Sequence, residues 1–400
     1  MYSDLKIILP SQIEGILKTL ENHGFDAYVV GGTVRDFLLG KSTHDYDITT
    51  NALPKEIHKI FEKCIDTGIK HGTVTVIMNG IKAEITTFRS DGVYKNHRKP
   101  ESVTFSKNIC DDLSRRDFTM NAIAYKDGTF TDVYGGLKDI ENKTIKTVND
   151  ASDRFFEDAL RMMRAVRFSC TLNFSPDKNL LSAVEKQGGL IKYVSFERIK
   201  SEFDKIVMSD YPENISKFQS THFFNHIFPN LQKALDLKKD FSVIKNAKTI
   251  YEKYALLFLI CGEKDFSEFL QKYKFSNGEK KKISKIIEFF DVLTNESDVY
   301  SVKKVMSQAG EETVFGIINV KNALKTNTKN LCDTFEKAKN EPYLIKHLKV
   351  TGNDLINLGI KKEDIGKILK YLQEEVTKDK NANDKEKLIV LAVRRYENEN

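Results

Sequence analysis

Two carboxylates separated by a single residue, Asp45 and Asp47, end the segment GGTVRDFLLGKSTHDYD at residues 31–47. If this stretch is a strand, the alternation of its side chains places both carboxylates on one face of a sheet. Such a pair repels itself unless a cation lies between, and Mg²⁺ prefers oxygen ligands with phosphates completing its shell. A turn aspartate beside a surface aspartate gives the same spacing, but the glycine pair that opens the segment favours phosphate chemistry.

That glycine pair, Gly31 and Gly32, lies where a predicted strand passes into a short predicted helix carrying Arg35. Backbone N–H groups at such a junction can approach a phosphate closely, and the start of the helix adds positive potential. Residues 40–42 (GKS) mimic the end of a Walker A loop. That motif needs a glycine five positions before Gly40, where Arg35 stands, so the sequence excludes a P-loop NTPase.

A third carboxylate, Glu84, is predicted on the second strand of a hairpin. The runs TVTVIM (73–78) and IKAEITTF (81–88) flank Asn79-Gly80, a strong hairpin signal. A neighbouring strand that carries Glu84 toward Asp45 and Asp47 would complete a set of three carboxylates. An exposed strand glutamate is the alternative.

The segment LSRRDFTMNAIAY (113–125) places two arginines and an aspartate before a short predicted apolar helix. Arg115 and Arg116 can fork onto triphosphate oxygens. Asp117 can hold a ribose hydroxyl or orient an arginine. A structural cap with a surface pair is the alternative, and Asn121 fits a helix interior equally well.

A third segment, EDALRMMRAVRF (157–168), belongs to a predicted helix over 154–168 with a helical apolar stripe. Glu157 and Asp158 lie four and three residues before Arg161, so both can form intrahelical ion pairs. The alternative is base recognition: an aspartate accepts from the exocyclic amino group of C or A, and an arginine donates to the ring acceptor beside it. A bidentate pair of this kind discriminates by about 1–3 kcal/mol.

The elements that position these residues divide the chain into two regions. Short β-rich runs alternate with helices over about 25–145, and helical periodicity dominates after about 150. The predicted strands and helices of the first region cover 27–32, 33–40, 46–50, 54–64, 73–78, 81–88 and 130–136. Residues 90–103 have no period and are predicted to form a mobile loop.

Composition limits the class of protein. The chain has 400 residues, with 30% charged and 40% hydrophobic side chains, 21 Gly and 7 Pro, which excludes collagen-like and wholly disordered chains. Its length predicts two to four domains. The net charge of +6 permits an anionic partner without requiring one. Lysine-rich stretches at 272–285 and 321–349 are either solvated helix faces or an electrostatic track for nucleic acid.

The cysteines and apolar runs predict a soluble cytoplasmic protein. Five cysteines without a CxxC motif disfavour a disulfide framework or a cysteine zinc site and fit a reducing cytosol. The N-terminal segment is amphipathic rather than a signal peptide. The longest apolar run, 254–261, is far below the about 20 residues that a membrane span needs.

Together these motifs resemble the tRNA nucleotidyltransferase/poly(A) polymerase family, and within it the bacterial branch that adds CCA to tRNA. The resemblance extends to the RSDGVYKNHRKP loop, to SFERIKSEF at 195–203 and to residues 350–376, and so spans nearly the whole chain. It implies template-independent addition of CCA from CTP and ATP, with release of pyrophosphate.

The resemblance also implies roles for individual residues. Asp45 and Asp47 would be catalytic and hold two Mg²⁺ ions, which activate the 3′-hydroxyl and steady the leaving pyrophosphate. Nucleotide binding would fall to Gly31, Gly32, Arg35, Arg115, Arg116, Asp117 and Asn121. Asp158 and Arg161 would read C and A as a protein template, supported by Glu157 and Arg164. Arg198 would brace the template helix, and residues 90–100 would reposition the head between C and A addition.

The fold expected from the resemblance is α+β. A nucleotidyltransferase head (1–140) with a mixed five-stranded sheet would precede a helical neck (141–208), body (209–330) and tail (331–400). The helical part would bind the acceptor and T arms of tRNA by shape and phosphate contacts, because A-form grooves hide base edges.

Two departures and several alternatives accompany this interpretation. Asn96 and Lys99 replace the acidic residue and histidine that the family often carries in its loop, which bears on the A-adding step. The C-terminal half has no HD-type metal site, so no phosphohydrolase activity is expected. An A-adding enzyme, a poly(A) polymerase, an inactive RNA-binding protein of the same fold and a nucleotidyltransferase acting on an antibiotic or protein are the alternatives.

Overall fold

The computed structural model describes residues 6–43, 45–92, 94–95, 99–100, 102–262 and 266–399. The chain divides into two compact units, residues 1–239 and 240–400. The predicted division into head, neck, body and tail stays a prediction.

A mixed sheet forms the centre of the first unit. Within the described residues its seven strands are β1 Ala27–Val30, β2 Tyr46–Thr50, β3 Cys64–Gly68, β4 Thr73–Met78, β5 Ile81–Thr87, β10 Ile123–Lys126 and β11 Thr129–Asp132. Their order is β11-β10-β1-β2-β5-β4-β3, with β2 and β5 parallel and the other neighbours antiparallel. The β4–β5 hairpin turns at Asn79 and Gly80, which both have positive φ (47° and 84°), as predicted.

The prediction of a five-stranded sheet is therefore wrong, because the observed sheet has two more strands. The helix predicted over 54–64 ends at Ile60, and Cys64–Gly68 forms an edge strand. The short helix predicted after Asp117 is a single 3₁₀ turn, Thr119–Asn121, followed by β10. The second error arises because a short apolar run has the same pattern in a buried strand as in a helix. The first arises because the edge strand, CIDTG, has no buried residue and lacks the apolar alternation that marks a strand.

The segment 90–103, predicted to be a mobile loop, contains short paired strands in its described part, and its mobility stays a prediction. Strand β6 Arg89–Asp91 pairs antiparallel with β9 Val103–Phe105, and β7 Tyr94–Lys95 pairs with β8 Lys99–Pro100. Strands of two or three residues are too short to leave a period in the sequence. Asn96 lies outside the described residues.

Helices cover the sheet and complete the first unit. They are α1 Ser11–Asn22, α2 Gly32–Leu38, α3 Pro54–Ile60, α4 Ile109–Ser114, α5 Gly136–Glu141, α6 Ala151–Glu157, α7 Leu160–Leu172, α8 Lys178–Gln187, α9 Phe196–Val207 and α10 Pro229–Asp236. The 3₁₀ turns are Ile69–His71, Thr119–Asn121, Gly188–Tyr193, Pro212–Thr221 and Phe223–His226, and a short parallel pair joins β12 Thr144–Ile145 to β13 Ser175–Pro176. Helix α1 packs on the sheet through Ile13, Ile16 and Leu20.

The second unit is helical in its described residues. Its helices are α11 Ile250–Cys261, α12 Ser267–Lys272, α13 Asn277–Phe290, α14 Val299–Ala309, α15 Glu311–Ala323, α16 Lys329–Lys339, α17 Gly352–Asn357, α18 Lys362–Lys378 and α19 Lys385–Glu399, with 3₁₀ turns at Ser242–Asn246, Ile345–His347 and Lys380–Ala382. Leu355, Leu372 and Leu388 centre the core of its last three helices. Among the described residues no helix has the length and apolar character to cross a membrane.

A buried ion pair in this unit gives a test of the packing. The Lys303 side chain is 2% exposed, and its Nζ lies 3.0 Å from a carboxylate oxygen of Glu341. Glu341→Ala would leave that charge buried without its partner, so we expect the free energy of unfolding to fall by about 3–5 kcal/mol. Urea unfolding measures this difference.

The matched control is Glu336→Ala, which removes an exposed helical pair with Lys339 and should cost below about 0.5 kcal/mol. The double variant Lys303→Met with Glu341→Ala should recover most of the loss, because neither charge remains. An unchanged stability in Glu341→Ala would contradict the assignment.

Candidate active site

A cavity of about 840 Å³ in the first unit collects most of the predicted site residues. Its lining is highly charged and of mixed sign. The carboxylates are Asp36, Asp45, Asp47, Glu84 and Asp117, and the cationic side chains are Arg35, Lys82, Arg116, Arg164, Arg167 and Lys205. Clustered cations beside acidic groups are the chemistry needed to bind a polyphosphate together with a metal ion.

Asp47 lies on β2, directly opposite Glu84 on the parallel strand β5. This register confirms that a neighbouring strand carries Glu84 beside Asp47. Burial raises the pKa of the Asp47 carboxyl, Arg116 lowers it, and Glu84 and Asp45 raise it further, so the net effect is upward. A carboxylate held among like charges is stabilised by a cation.

Asp45 lies one residue before β2 and is exposed. Thr33 fixes the segment from α2: its hydroxyl donates to the Asp45 carbonyl (3.0 Å) and accepts from the Asp47 backbone N–H (2.8 Å). Thr33 is not among the residues predicted from the sequence, although its place directly after the glycine pair is a usable signal.

The carboxylates of Asp45 and Asp47 suit a divalent cation. Neither makes a hydrogen bond or salt bridge with the described residues, so their oxygens are available as ligands. Within the same residues no three His, Cys, Asp or Glu side chains surround a single metal position. Glu84 lines the cavity. In this structure it does not form a three-carboxylate metal site with Asp45 and Asp47.

Side chains of the site approach the backbone closely at Gly31, and the approach of a phosphate there stays a prediction. The φ of Gly31, 71°, lies in the region that favours glycine. A Cβ atom at this position would stand 2.8 Å from Nη1 of Arg116 and 3.3 Å from Oδ2 of Asp47. At Gly32, which begins α2, a Cβ atom would meet its neighbours at ordinary distances of 3.5 Å or more.

The two consecutive arginines share one buried carboxylate, Asp112. Arg115 donates to Oδ1 of Asp112 through Nε (3.0 Å) and Nη2 (2.5 Å), and Arg116 donates to Oδ2 through Nη2 (2.9 Å). Burial raises the pKa of Asp112, but Arg116 and Arg115 outweigh it and hold the pKa below its usual range. Arg116 lines the cavity, whereas Arg115 is not among the lining residues.

A chain of hydrogen bonds connects α2 to α7 through Asn121 and Asp117. Arg164 donates to Oδ2 of Asp117 from Nε at 2.6 Å, and Asn121 donates to Oδ1 of Asp117 at 3.0 Å. Arg35 in turn donates to the Asn121 amide oxygen at 2.6 Å. Burial raises the pKa of Asp117, but Arg164 and Asn121 outweigh it and hold the pKa well below its usual range.

The predicted template residues lie outside this lining. The helix predicted over 154–168 breaks at Asp158, which has an extended backbone (φ −136°, ψ 102°) between α6 and α7. Asp158 pairs with Arg198 of α9 at 2.8 Å, while Arg161 pairs with Glu157 at 2.5 Å. The predicted Glu157–Arg161 pair is thus confirmed. The Asp158–Arg161 pair is wrong, because the break turns Asp158 toward α9.

Several residues of the site were not identified from the sequence. Asp112 and Glu202 are buried carboxylates that hold arginines, Arg167 pairs with Glu202 at 2.5 Å, and Phe168 lines the cavity. A buried acid between helices leaves no signal except its position in a charged motif.

Family models match most of the chain. Residues 27–146 match the "Poly A polymerase head domain", residues 173–235 match the "Probable RNA and SrmB- binding site of polymerase A", and residues 246–392 match "tRNA nucleotidyltransferase domain 2 putative".

Curated relatives and a solved structure extend this similarity. The chain is 39% identical to a CCA-adding enzyme of Lactobacillus helveticus over 77% of this chain and 78% of the relative. It is 36% identical to a CCA-adding enzyme of Pediococcus pentosaceus over 94% and 96%. The crystal structure of the Bacillus stearothermophilus CCA-adding enzyme in complex with CTP superimposes with a TM-score of 0.86 at 31% identity, over 98% of this chain and 99% of that chain.

Proposed function

The chain belongs to the family of CCA-adding tRNA nucleotidyltransferases, and from this premise we propose that it adds CCA to the 3′ end of tRNA from CTP and ATP without a nucleic-acid template. The observation that carries the proposal is the cavity in which Asp47 and Glu84 face six cationic side chains. This arrangement suits a nucleoside triphosphate whose phosphates need both cationic side chains and a metal ion.

The reaction joins the 3′-hydroxyl oxygen of the RNA to the α-phosphorus of the nucleotide. The bond from the α-phosphorus to its bridging oxygen breaks, pyrophosphate leaves with that electron pair, and the proton of the attacking hydroxyl is released to solvent. Arg116, Arg164 and Arg35 offer guanidinium donors to the phosphate oxygens, whose negative charge they offset. Gly31 keeps the backbone out of the space beside Arg116 and Asp47.

Nucleotidyltransferases of this family use divalent metal ions, and we propose Mg²⁺ as the ion and Asp45 and Asp47 as its protein ligands. Bound there, Mg²⁺ supplies Lewis-acid stabilisation of the phosphoryl oxygens and makes the attacking hydroxyl more acidic. The free carboxylate oxygens of the two aspartates support this assignment.

Base selection is proposed for Asp158 and Arg161, supported by Glu157 and Arg198. In this structure their charged groups are paired as Asp158–Arg198 and Arg161–Glu157. The aspartate and arginine can present acceptors and donors to a base once a nucleotide competes for them. We also propose that the ribose and phosphates of the nucleotide are held by Arg115, Asp117 and Asn121.

Arg161→Ala is expected to reduce the preference for C and A over U and G by about tenfold or more. The measurement is kcat/KM for each of the four nucleoside triphosphates on the same tRNA. Lys192→Ala is the control, because that side chain lies outside the motif. An unchanged preference would show that Arg161 does not read the base.

The RNA is proposed to lie against basic surfaces of the second unit. A cavity of about 470 Å³ there is lined by four lysines together with the rings of Tyr251 and Phe315. The lysines are Lys248, Lys281, Lys282 and Lys285. Three of them come from the predicted basic stretch at 272–285, which favours the nucleic-acid track over a merely solvated helix face.

Reversing three of these charges, with Lys248→Glu, Lys281→Glu and Lys285→Glu together, should weaken tRNA binding by about 10²-fold at low salt. The slope of log Kd against log salt should also become shallower, because fewer phosphate contacts release counterions. Filter binding across a salt series measures both quantities.

The control variant reverses three exposed lysines of the first unit, Lys55 and Lys59 on α3 and Lys63 just after it, and so changes the net charge equally. Its binding should stay within about threefold of the wild type. Equal losses in both variants would mean that overall charge, rather than this cavity, governs binding.

The proposed function is tested with tRNA transcripts that end before CCA, after C and after CC, each incubated with CTP, ATP or both. CCA addition to the shortest transcript, followed by a stop, is the expected result. Addition of A to the CC-ended transcript alone would identify an A-adding enzyme. A long A ladder would identify a poly(A) polymerase, and no product would favour an RNA-binding protein.

A cytosolic location is proposed on the cysteine chemistry. None of Cys64, Cys110, Cys170, Cys261 and Cys332 forms a disulfide in the structure. Unpaired cysteines are typical of proteins in a reducing compartment.

A further inference from the structure

The ring of Phe168 lies among three guanidinium groups. The carbon centres of these groups are 3.9 Å (Arg167), 5.0 Å (Arg35) and 5.4 Å (Arg164) from the ring centroid. All three arginines and Phe168 line the active-site cavity, although the phenylalanine side chain is 3% exposed. A single buried ring thus lies next to three cations, one from α2 and two from α7.

Each of these arginines is also held on another side by a carboxylate. Arg35 pairs with Asp36 at 2.8 Å, Arg164 with Asp117 at 2.5 Å and Arg167 with Glu202 at 2.5 Å. The carboxylate fixes one edge of the guanidinium, and the ring supports the cation from a second direction. Two such supports restrict the side chain far more than either does alone.

Three like charges this close repel each other. Burial, followed by the charge of Arg164, lowers the pKa of Arg167 to about 10, although Glu202 raises it. The negative face of an aromatic ring offsets part of such repulsion, which an aliphatic side chain of similar size does not. The aromatic ring at position 168 therefore has an electrostatic effect on these arginines beyond filling the core.

We infer that Phe168 is a positioning residue whose ring gathers Arg35, Arg164 and Arg167 into a preformed cationic cluster for the triphosphate of the incoming nucleotide. This inference rests on the proposed function. In a cluster that is already assembled, fewer side chains have to be ordered when polyphosphate binds. The free-energy cost of binding is therefore smaller, and polyphosphate binds more tightly. The ring does not distinguish bases, so both nucleotides should depend on it equally.

The sharpest test changes the electrostatics of the ring and keeps its size nearly constant. Replacement of Phe168 by phenylalanines bearing one, two, three and five fluorines weakens the negative face stepwise. KM for CTP and for ATP should rise together and in proportion to fluorination, by about tenfold at the last step, with kcat within about threefold. Phe168→Leu should give a similar rise in KM.

The matched control is Phe174→Leu, which removes another buried ring of the same unit that has no guanidinium partner among the described residues. It should lower the melting temperature as Phe168→Leu does but leave both KM values within about twofold. If fluorination left KM unchanged, or if the two leucine variants changed KM equally, Phe168 would be a core residue and the inference would be overturned.

Pyrophosphate binding separates this inference from the proposed function. Calorimetry with pyrophosphate needs no turnover, and its Kd should rise by about tenfold across the fluorinated series. If pyrophosphate binding shows this dependence across the series but the wild-type protein makes no CCA product, the proposed function would be refuted and the inference would stand. A pyrophosphate Kd that is flat across the series would refute the inference even if CCA addition were confirmed.

Discussion

Asp47→Ala is expected to abolish nucleotide addition, lowering kcat by at least about 10³-fold, while the protein still binds tRNA. Asp47 lies opposite Glu84 in the cavity, and its carboxylate has no hydrogen-bond or salt-bridge partner among the described residues. Its removal therefore takes away a metal ligand without leaving a buried partner unpaired. Single-turnover incorporation of labelled CTP measures the loss, and filter binding measures the tRNA affinity.

The control for this experiment is Asp127→Asn, at the exposed turn between β10 and β11, which should retain full activity. Asp47→Asn adds an isosteric comparison, because an amide is a poor metal ligand but fills the same space. If either Asp47 variant lost its tRNA affinity, or if its melting temperature fell far below that of the wild type, the carboxylate would be structural. The assignment of the metal site would then be mistaken.

Gly31→Ala is expected to reduce kcat/KM by about 10²-fold. The added Cβ atom would stand 2.8 Å from Nη1 of Arg116, so the arginine or the backbone has to shift within the phosphate-binding region. Displacements of about 1 Å at a reacting site can cost this much. Because φ is 71°, the substitution also lowers the free energy of unfolding by about 1 kcal/mol or more.

Gly40→Ala separates the two effects. Gly40 also has a positive φ, 66°, but a Cβ atom there would meet nothing within 4 Å. Its stability cost should be similar, and its kcat/KM should stay within about twofold of the wild type. Similar activity losses in both glycine variants would mean that backbone strain, rather than crowding of Arg116, explains the Gly31 result.

Much of the first unit was predictable because its local signals agree with its tertiary structure. The Asn79-Gly80 turn, the strand that ends at the glycine pair and the strand at Tyr46–Thr50 all lie where the sequence predicts them. The strand Ile123–Lys126 was missed because the sheet decides the conformation of a short apolar run. The edge strand Cys64–Gly68 was missed because none of its residues is buried and it shows no apolar alternation.

The site was predictable as a set of residues and less so as a set of partners. Asp47, Glu84, Arg116 and Asn121 share one cavity, as their motifs suggested. The break at Asp158 and its pairing with Arg198 depend on how α6, α7 and α9 pack. The burial of Asp112 and the three arginines around Phe168 likewise arise from tertiary packing, which sequence spacing does not encode.

The central claim is that the protein itself selects C, C and A. The most direct measurement incubates the wild-type protein, Mg²⁺ and a tRNA transcript ending before CCA with all four nucleoside triphosphates at equal concentration, and sequences the added nucleotides. The predicted result is CCA on nearly every extended molecule, followed by a stop. Frequent U or G, or continued addition after the third nucleotide, would contradict it.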